Sequence, residues 1–230
     1  ELIQNMNPKD LELQDEDGST ALNLACGYEN VEVAQALILK MDSMALGIQG
    51  YGKQTALHLA AEDGLNDIAV KLIKNMNIKD LELQDKDGNT ALHLACRAKN
   101  VKVAQALILK MDSTALGIQG YEKQTALHCV IEKGFTGVAI ELIQNMNPKD
   151  LELQDEDGNT ALHLACGYKN EEVAQALILK MGGRVLGIQG FRKQTALHIA
   201  FRSGLNDIAV KFIEKMNPND LELQDEDGNT

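Results

Sequence analysis

Residues 55–73 read TALHLAAEDGLNDIAVKLI, and their spacing decides the fold. Thr55 stands just before an apolar run, where its hydroxyl can accept a hydrogen bond from an otherwise orphaned backbone N–H and cap a helix. The run Ala56, Leu57, Leu59, Ala60 is short and built mostly of small side chains, so a neighbouring element can approach closely. Gly64 can take the left-handed conformation that ends such a helix. A second helix follows with apolar residues at Leu65, Ile68, Ala69, Leu72, Ile73 and Met76. The intervals i, i+3, i+4, i+7, i+8 and i+11 form one core-facing stripe. Downstream, "NMNIKDLELQDKDG" (75–88) is polar, with a short alternating "LEL" before an Asp-Gly turn.

The same pattern recurs along the chain. Thr20, Thr55, Thr90, Thr125, Thr160, Thr195 and Thr230 are spaced 35 residues apart, and the first six open T-A-L-x. Two versions alternate, one beginning "DEDGNTALHLACGYKN" and the other "GYGKQTALHLAAEDGLND", so the closest copies lie 70 residues apart. One helix pair cannot bury its apolar faces alone, whereas stacked copies can.

These residues resemble the ankyrin repeat, whose signature T-P-L-H-x-A is met here with Ala in place of Pro. The resemblance covers the whole chain. It implies a mainly α fold, an ankyrin-repeat solenoid of stacked helix-turn-helix units with short β-hairpin fingers. The expected layout is one domain over 1–230: a partial repeat at 1–14, full repeats at 15–49, 50–84, 85–119, 120–154, 155–189 and 190–224, and a partial repeat at 225–230. Two departures stand out. The repeat is longer than the family's usual 33 residues, with the extra length expected in the finger. Asn30, Asn100 and Asn170 take the place of the usual glycine and are expected in the left-handed conformation, which Asn tolerates. Because the first residues, "ELIQNM", reappear at 141–146 inside a helix pattern, the chain is expected to be a segment of a longer array.

Composition bounds the chemistry. The net charge of −12, with basic residues scattered among acids, argues against nucleic acid or an anionic membrane as partner. No apolar run reaches the roughly 20 residues of a membrane span. Cys26, Cys96 and Cys166 hold one repeat position, which suits a small buried residue in a reducing, intracellular setting. Cytoplasmic or other intracellular location is therefore expected, including delivery into a host cell.

Three motifs approach a chemical site and fail. Around Gly158 an EF-hand frame puts Leu153 and Leu164 where calcium needs carboxylates. Asp155 and Asp157 read as turn acids near a helix N-terminus. His163 and Cys166 share a helix face, as do His93 and Cys96, but zinc needs four converging ligands. All five histidines occupy one repeat position, which Asn23 fills in the first copy, so a first-turn hydrogen-bonding role is expected. "GIQGYGKQT" (47–55) nearly writes a phosphate-binding loop, yet Gln54 stands where the Ser or Thr is required. No cofactor, metal or catalytic residue is expected, and the chain reads as a non-enzyme.

The chain contains its own alignment, and its copies differ in few places. One version varies at Tyr51/Tyr121/Phe191, Gly52/Glu122/Arg192, Glu62/Glu132/Arg202 and Asp63/Lys133/Ser203. The other varies at Gly27/Arg97/Gly167, Tyr28/Ala98/Tyr168 and Glu29/Lys99/Lys169. In ankyrin-like repeats, finger tips and first-helix ends line the concave surface that meets partners. Drift at exposed sites would give the same pattern, but aromatic and Arg side chains are the usual interface anchors. The expected partner-binding set is therefore Tyr51, Gly52, Glu62, Asp63, Arg97, Tyr121, Glu122, Glu132, Lys133, Tyr168, Lys169, Phe191, Arg192 and Arg202. The implied function is recognition of a partner protein or extended peptide on the concave face, with a monomer favoured. The alternatives are a structural spacer, or the targeting region of a larger, host-directed effector of bacterial or endosymbiont type.

Overall fold

The computed structural model describes residues 6–181 and 186–230. Its contacts divide the chain into two units, Glu1–Tyr121 and Glu122–Thr230. The first holds α1 (Ala21–Gly27), α2 (Val31–Ile38), α3 (Ala56–Glu62), α4 (Asn66–Asn75), α5 (Ala91–Arg97) and α6 (Val101–Lys110). The second holds α7 (Ala126–Glu132), α8 (Thr136–Asn145), α9 (Ala161–Gly167), α10 (Glu171–Lys180), α11 (Ala196–Ser203) and α12 (Asn206–Lys215). Within each unit every short first helix packs on its longer partner. First helices stack on first helices and second on second, α1 on α3 on α5 and α8 on α10 on α12. The fold is mainly α and built of stacked helix pairs, as the spacing predicts.

The core is the stripe read from the sequence. Ile68, Ala69, Leu72, Ile73 and Met76 are buried, and Leu65 is half-buried. Cys26, Cys96 and Cys166 are buried free thiols within the first helices. Burial pushes the thiols of Cys26 and Cys166 up to about 12, so both stay protonated and act as small apolar residues.

Each first helix starts at its threonine. Thr55 Oγ1 accepts the His58 N–H at 3.3 Å, and His58 Nδ1 accepts the Thr55 N–H at 3.2 Å. Two orphan donors are thereby satisfied reciprocally. With Nδ1 accepting, Nε2 carries the proton and donates to the Asn89 carbonyl, 3.2 Å away in the next finger. The same link joins His128 to Asn159, His163 to Gln194 and His198 to Asn229. Asn23 performs both tasks in the first copy, accepting from the Thr20 N–H and donating to the Gln54 carbonyl. The histidines are thus caps and inter-repeat ties, the hydrogen-bonding role the sequence indicated.

Two local expectations change. Asn30, Asn100 and Asn170 are not left-handed. That conformation falls one residue earlier, on Glu29, Lys99 and Lys169 (φ 54, 63 and 56°). The asparagine side chains instead cap the second helices, accepting from the N–H groups of Val33, Val103 and Val173. The Asn oxygen serves as a cap because the first N–H groups of the following helix have no partner within the helix. The "LEL" segments likewise lie mostly in 3-10 turns, such as Ile78–Glu82 and Pro148–Glu152. Three of the fingers are turns closed by single antiparallel bridges, Gln14 with Thr20, Gln154 with Thr160 and Gln189 with Thr195.

Finger is tied to finger by a glutamine that recurs with the repeat. Gln49 Nε2 donates to the Gln84 carbonyl at 2.9 Å, and Gln84 in turn to the Gln119 carbonyl at 3.0 Å. Gln154 and Gln189 continue the pattern in the second unit. Such close stacking leaves no room at certain glycines. A Cβ on Gly190 would lie 2.6 Å from Asn159 Oδ1 and 3.0 Å from the His163 ring. Its φ of −101° is not left-handed, and the close approach of the preceding turn is what excludes a side chain. Gly190→Ala is expected to lower stability by about 1–3 kcal/mol through overpacking. Gly137→Ala, with nothing within 4 Å of its Cβ, should be neutral or stabilising. Urea unfolding of both variants checks the pair, and equal midpoints would refute it.

Candidate functional site

Finger tips and first-helix ends come together on one side of each unit. Each tip starts at an aromatic whose backbone is held and whose side chain is exposed. The N–H groups of Tyr51, Tyr121 and Phe191 donate to Ser19 Oγ, Asn89 Oδ1 and Asn159 Oδ1 of the preceding turns. The side chains remain 70, 51 and 57% exposed, respectively. The next position, Gly52, Glu122 or Arg192, is left-handed in all three copies (φ 65, 56 and 54°). Its carbonyl accepts the N–H of Lys86, Glu156 or Glu226. Only Gly adopts this conformation without strain, and elsewhere it costs of the order of 1–3 kcal/mol. Two copies therefore carry strain to display a charged side chain at the tip.

Opposite the tips lie the helix ends. Glu62 and Glu132 close α3 and α7 and accept from the finger amides of Gln54 (3.3 Å) and Gln124 (2.9 Å). Asp63 and Lys133 follow as exposed C-caps, and Arg202 is exposed in the last turn of α11. Tyr168 caps α9 and is 56% exposed, with left-handed Lys169 beside it.

Two clefts gather these residues. In the first unit a cleft of about 370 Å³ is lined by Glu62, Asp85, Asp87 and Arg97 among others. The Arg97 guanidinium lies over the Tyr121 ring, 5.6 Å from its centroid, within cation–π range. In the second unit a cleft of about 340 Å³ joins Glu122 and Glu132 to Asp155, Glu156, Asp157 and Tyr168. Burial, then Asp157 and Glu122 nearby, raises the Asp155 carboxyl above its ordinary range. Burial and the neighbouring Glu132 raise the Tyr168 phenol likewise. Tyr51 belongs to a smaller, more apolar notch of about 170 Å³ beside Tyr28 and Leu24. Arg192 pairs with Asp227 at 3.2 Å and with Glu226 at 3.7 Å.

Of the residues expected from the sequence, the clefts bring together Glu62 with Arg97 and Glu122 with Glu132 and Tyr168, while Asp63, Lys133, Lys169, Phe191, Arg192 and Arg202 line neither; Asp155, Glu156, Gln124 and Tyr28 are not among those expected. Asp155 and Gln124 repeat in every equivalent copy, so comparing copies could not single them out. Glu156 is different. It replaces Lys86 of the preceding equivalent copy, a charge reversal that was visible in the sequence. Among the described residues, no three His, Cys, Asp or Glu side chains are placed to hold a metal ion. No described helix is long and apolar enough to cross a membrane.

A family model described as ankyrin repeats (three copies) matches residues 1–80, 43–118, 62–150 and 112–189. No relative among the curated proteins matches the sequence. Among solved structures, the ankyrin repeat domain of Bcl-3, a member of the IkappaB family, aligns with TM-score 0.70 and 23% identity over 94% of this chain and 93% of that one. EF0377, an ankyrin repeat protein, aligns with TM-score 0.69 and 20% identity over 89% and 100%. A chain from the complex of the predatory endopeptidase Bd0816 of Bdellovibrio bacteriovorus with immunity protein Bd3460 aligns with TM-score 0.64 and 27% identity, covering 86% of this chain and 99% of that one.

Proposed function

Because the chain belongs to the ankyrin-repeat family, whose repeats are generally protein–protein interaction modules, we propose that it binds a partner protein or extended peptide across the finger tips and first-helix ends. The observation that carries this reading is the exposure of Tyr51, Tyr121 and Phe191 on backbones fixed by the preceding turn. Rigid aromatics supply contact area at little entropic cost on binding. Differences between near-identical copies at these tips, while the buried stripe stays fixed, support the same surface. The similarity to a chain from an endopeptidase–immunity protein complex is consistent with it. An intracellular setting fits the four buried free thiols. The near-identity of copies 70 residues apart marks recent duplication and favours a targeting role within a larger, host-directed protein.

Panning a randomised 12-residue peptide library on the chain tests the reading. Peptides should be enriched, and replacing Tyr51, Tyr121 and Phe191 together by Ala should weaken their binding about tenfold or more. Circular dichroism and the unfolding midpoint of the triple variant check that the fold is kept. No enrichment, or equal binding to both proteins, would leave a spacer that only sets distance.

A further inference from the structure

The apolar notch of the first unit, about 170 Å³, is lined by the end of α1 and by the finger tip and first helix of the next repeat. Leu24, Gly27 and Leu59 give it an apolar floor, and Tyr28 and Tyr51, 83 and 70% exposed, also line it. Gly27 is the last residue of α1, and a Cβ there would meet only Leu59 Cδ1, at an ordinary 3.8 Å. The space over this glycine is therefore open to a side chain.

The same unit shows which side chain such a tyrosine accepts. Seventy residues on, Arg97 stands at the position of Gly27 and Tyr121 at that of Tyr51. There the guanidinium lies over the ring, 5.6 Å from its centroid. Both residues that line the notch, Gly27 and Tyr51, thus have counterparts that meet as cation and ring. Asp63, the exposed C-cap of α3, is near this end of α1. Its charge adds to burial in raising the thiol of Cys26, the residue before Gly27. The copy that carries the arginine has Lys133 at the position of Asp63 and Ala98 at that of Tyr28. The third copy repeats the glycine and the aromatics, Gly167, Tyr168 and Phe191, but has Ser203 in place of Asp63. Only the first copy combines the glycine, two aromatics and a carboxylate.

We propose that this notch receives an arginine side chain of the bound partner, its guanidinium over the Tyr51 ring as that of Arg97 lies over Tyr121. The inference rests on the recognition reading and adds the chemistry of the partner: a protein segment carrying an accessible arginine. A planar guanidinium stacks on an aromatic face while its edge N–H groups still pair with a carboxylate such as Asp63, which a lysine ammonium does not do. The aliphatic stem of the arginine suits the apolar floor of Leu24 and Leu59. The chain's charge of −12 steers such a segment towards it.

The test titrates the isotope-labelled chain with acetyl-Gly-Arg-Gly-amide, followed by the backbone amide shifts. Saturable shifts should centre on Gly27, Tyr28 and Tyr51. The citrulline counterpart, equal in shape but uncharged, should bind about fivefold more weakly or worse. Gly27→Arg should abolish the shifts by supplying an internal occupant. If Gly27→Arg fails to fold, Tyr28→Ala takes its place; that side chain is largely exposed, and its removal should weaken binding with the unfolding midpoint unchanged. Asp63→Asn should weaken the arginine peptide and leave the citrulline peptide unaffected. Absence of shifts at the notch, equal binding of the citrulline peptide, or indifference to these variants overturns the inference. A panned library that returns arginine-free peptides dependent on Tyr51 would sink this inference while leaving protein recognition standing.

Discussion

Between pH 7 and pH 4 the second unit is expected to lose several kcal/mol of stability, because two of its histidines fold only in the neutral form. His128 and His163 are 1 and 3% exposed, and burial lowers both to about 4. For His128 the neighbouring His163 adds to the lowering, while the carbonyls of Asn159 and Leu153 oppose it. Unfolded, each returns to about 6.5. The unfolded chain therefore binds more protons throughout this window, so stability is full above about pH 6.5 and falls as the pH drops towards 4. Each histidine accounts for about 3 kcal/mol over that range, set against a typical total of about 5–15 kcal/mol. Asp155, whose carboxyl is raised, contributes with the opposite sign and softens the fall. His58, also lowered chiefly by burial, extends the effect to the first unit.

Urea midpoints measured from pH 7.5 to 4 check this, and a flat profile would refute it. The chain supplies its own control. Asn23 makes the same two hydrogen bonds as the histidines and has no proton to gain. Replacing His128 and His163 by Asn should keep the fold at pH 7 and flatten the acid limb. A steep limb persisting in that double variant would assign the loss to carboxylates instead.

The second large effect separates two leucines of one helix. Leu107→Ala in α6 is expected to cost about 2–5 kcal/mol, the range for emptying a well-packed core site. Leu109→Ala should cost less than about 0.5 kcal/mol, as exposed substitutions do. Leu107 is 0% exposed and Leu109 78% exposed, although they sit two residues apart in the string "ALILK". The second helices stack α4 on α6, which buries Leu107 and leaves Leu109 facing solvent. Chemical unfolding of the two variants is sufficient, and comparable losses would show that Leu109 is covered by something else. Leu39 and Leu179 hold the same register and are exposed at 81 and 66%.

Much of the fold was legible because the repeat states it six times. The threonine caps, the stripe from Ile68 to Met76 and the small buried cysteines each follow from local physics, helix-end hydrogen bonding and a 3.6-residue period. The left-handed position was misplaced by one residue. Both Asn and its neighbour are polar and permissive, and only the orphan N–H groups of the following helix decide which becomes the cap. The finger glutamines recur every 35 residues, yet nothing local says that Gln49 reaches the carbonyl of Gln84.

The candidate surface was legible in part, for the same reason. Comparing copies finds residues that change, such as Tyr168 and Glu122, and passes over constant ones such as Asp155. Arg97 and Arg192 show what sequence cannot weigh. Both read as anchors for a partner, yet the first stacks on Tyr121 and the second pairs with Asp227. By itself the sequence determined the helix pairs, the threonine caps of the first helices and their stacking, because these depend on contacts within one repeat and on periodicity. Tertiary structure alone decided that Arg97 meets Tyr121 and Arg192 meets Asp227, since that depends on side chains about 24 to 35 residues apart meeting across neighbouring repeats.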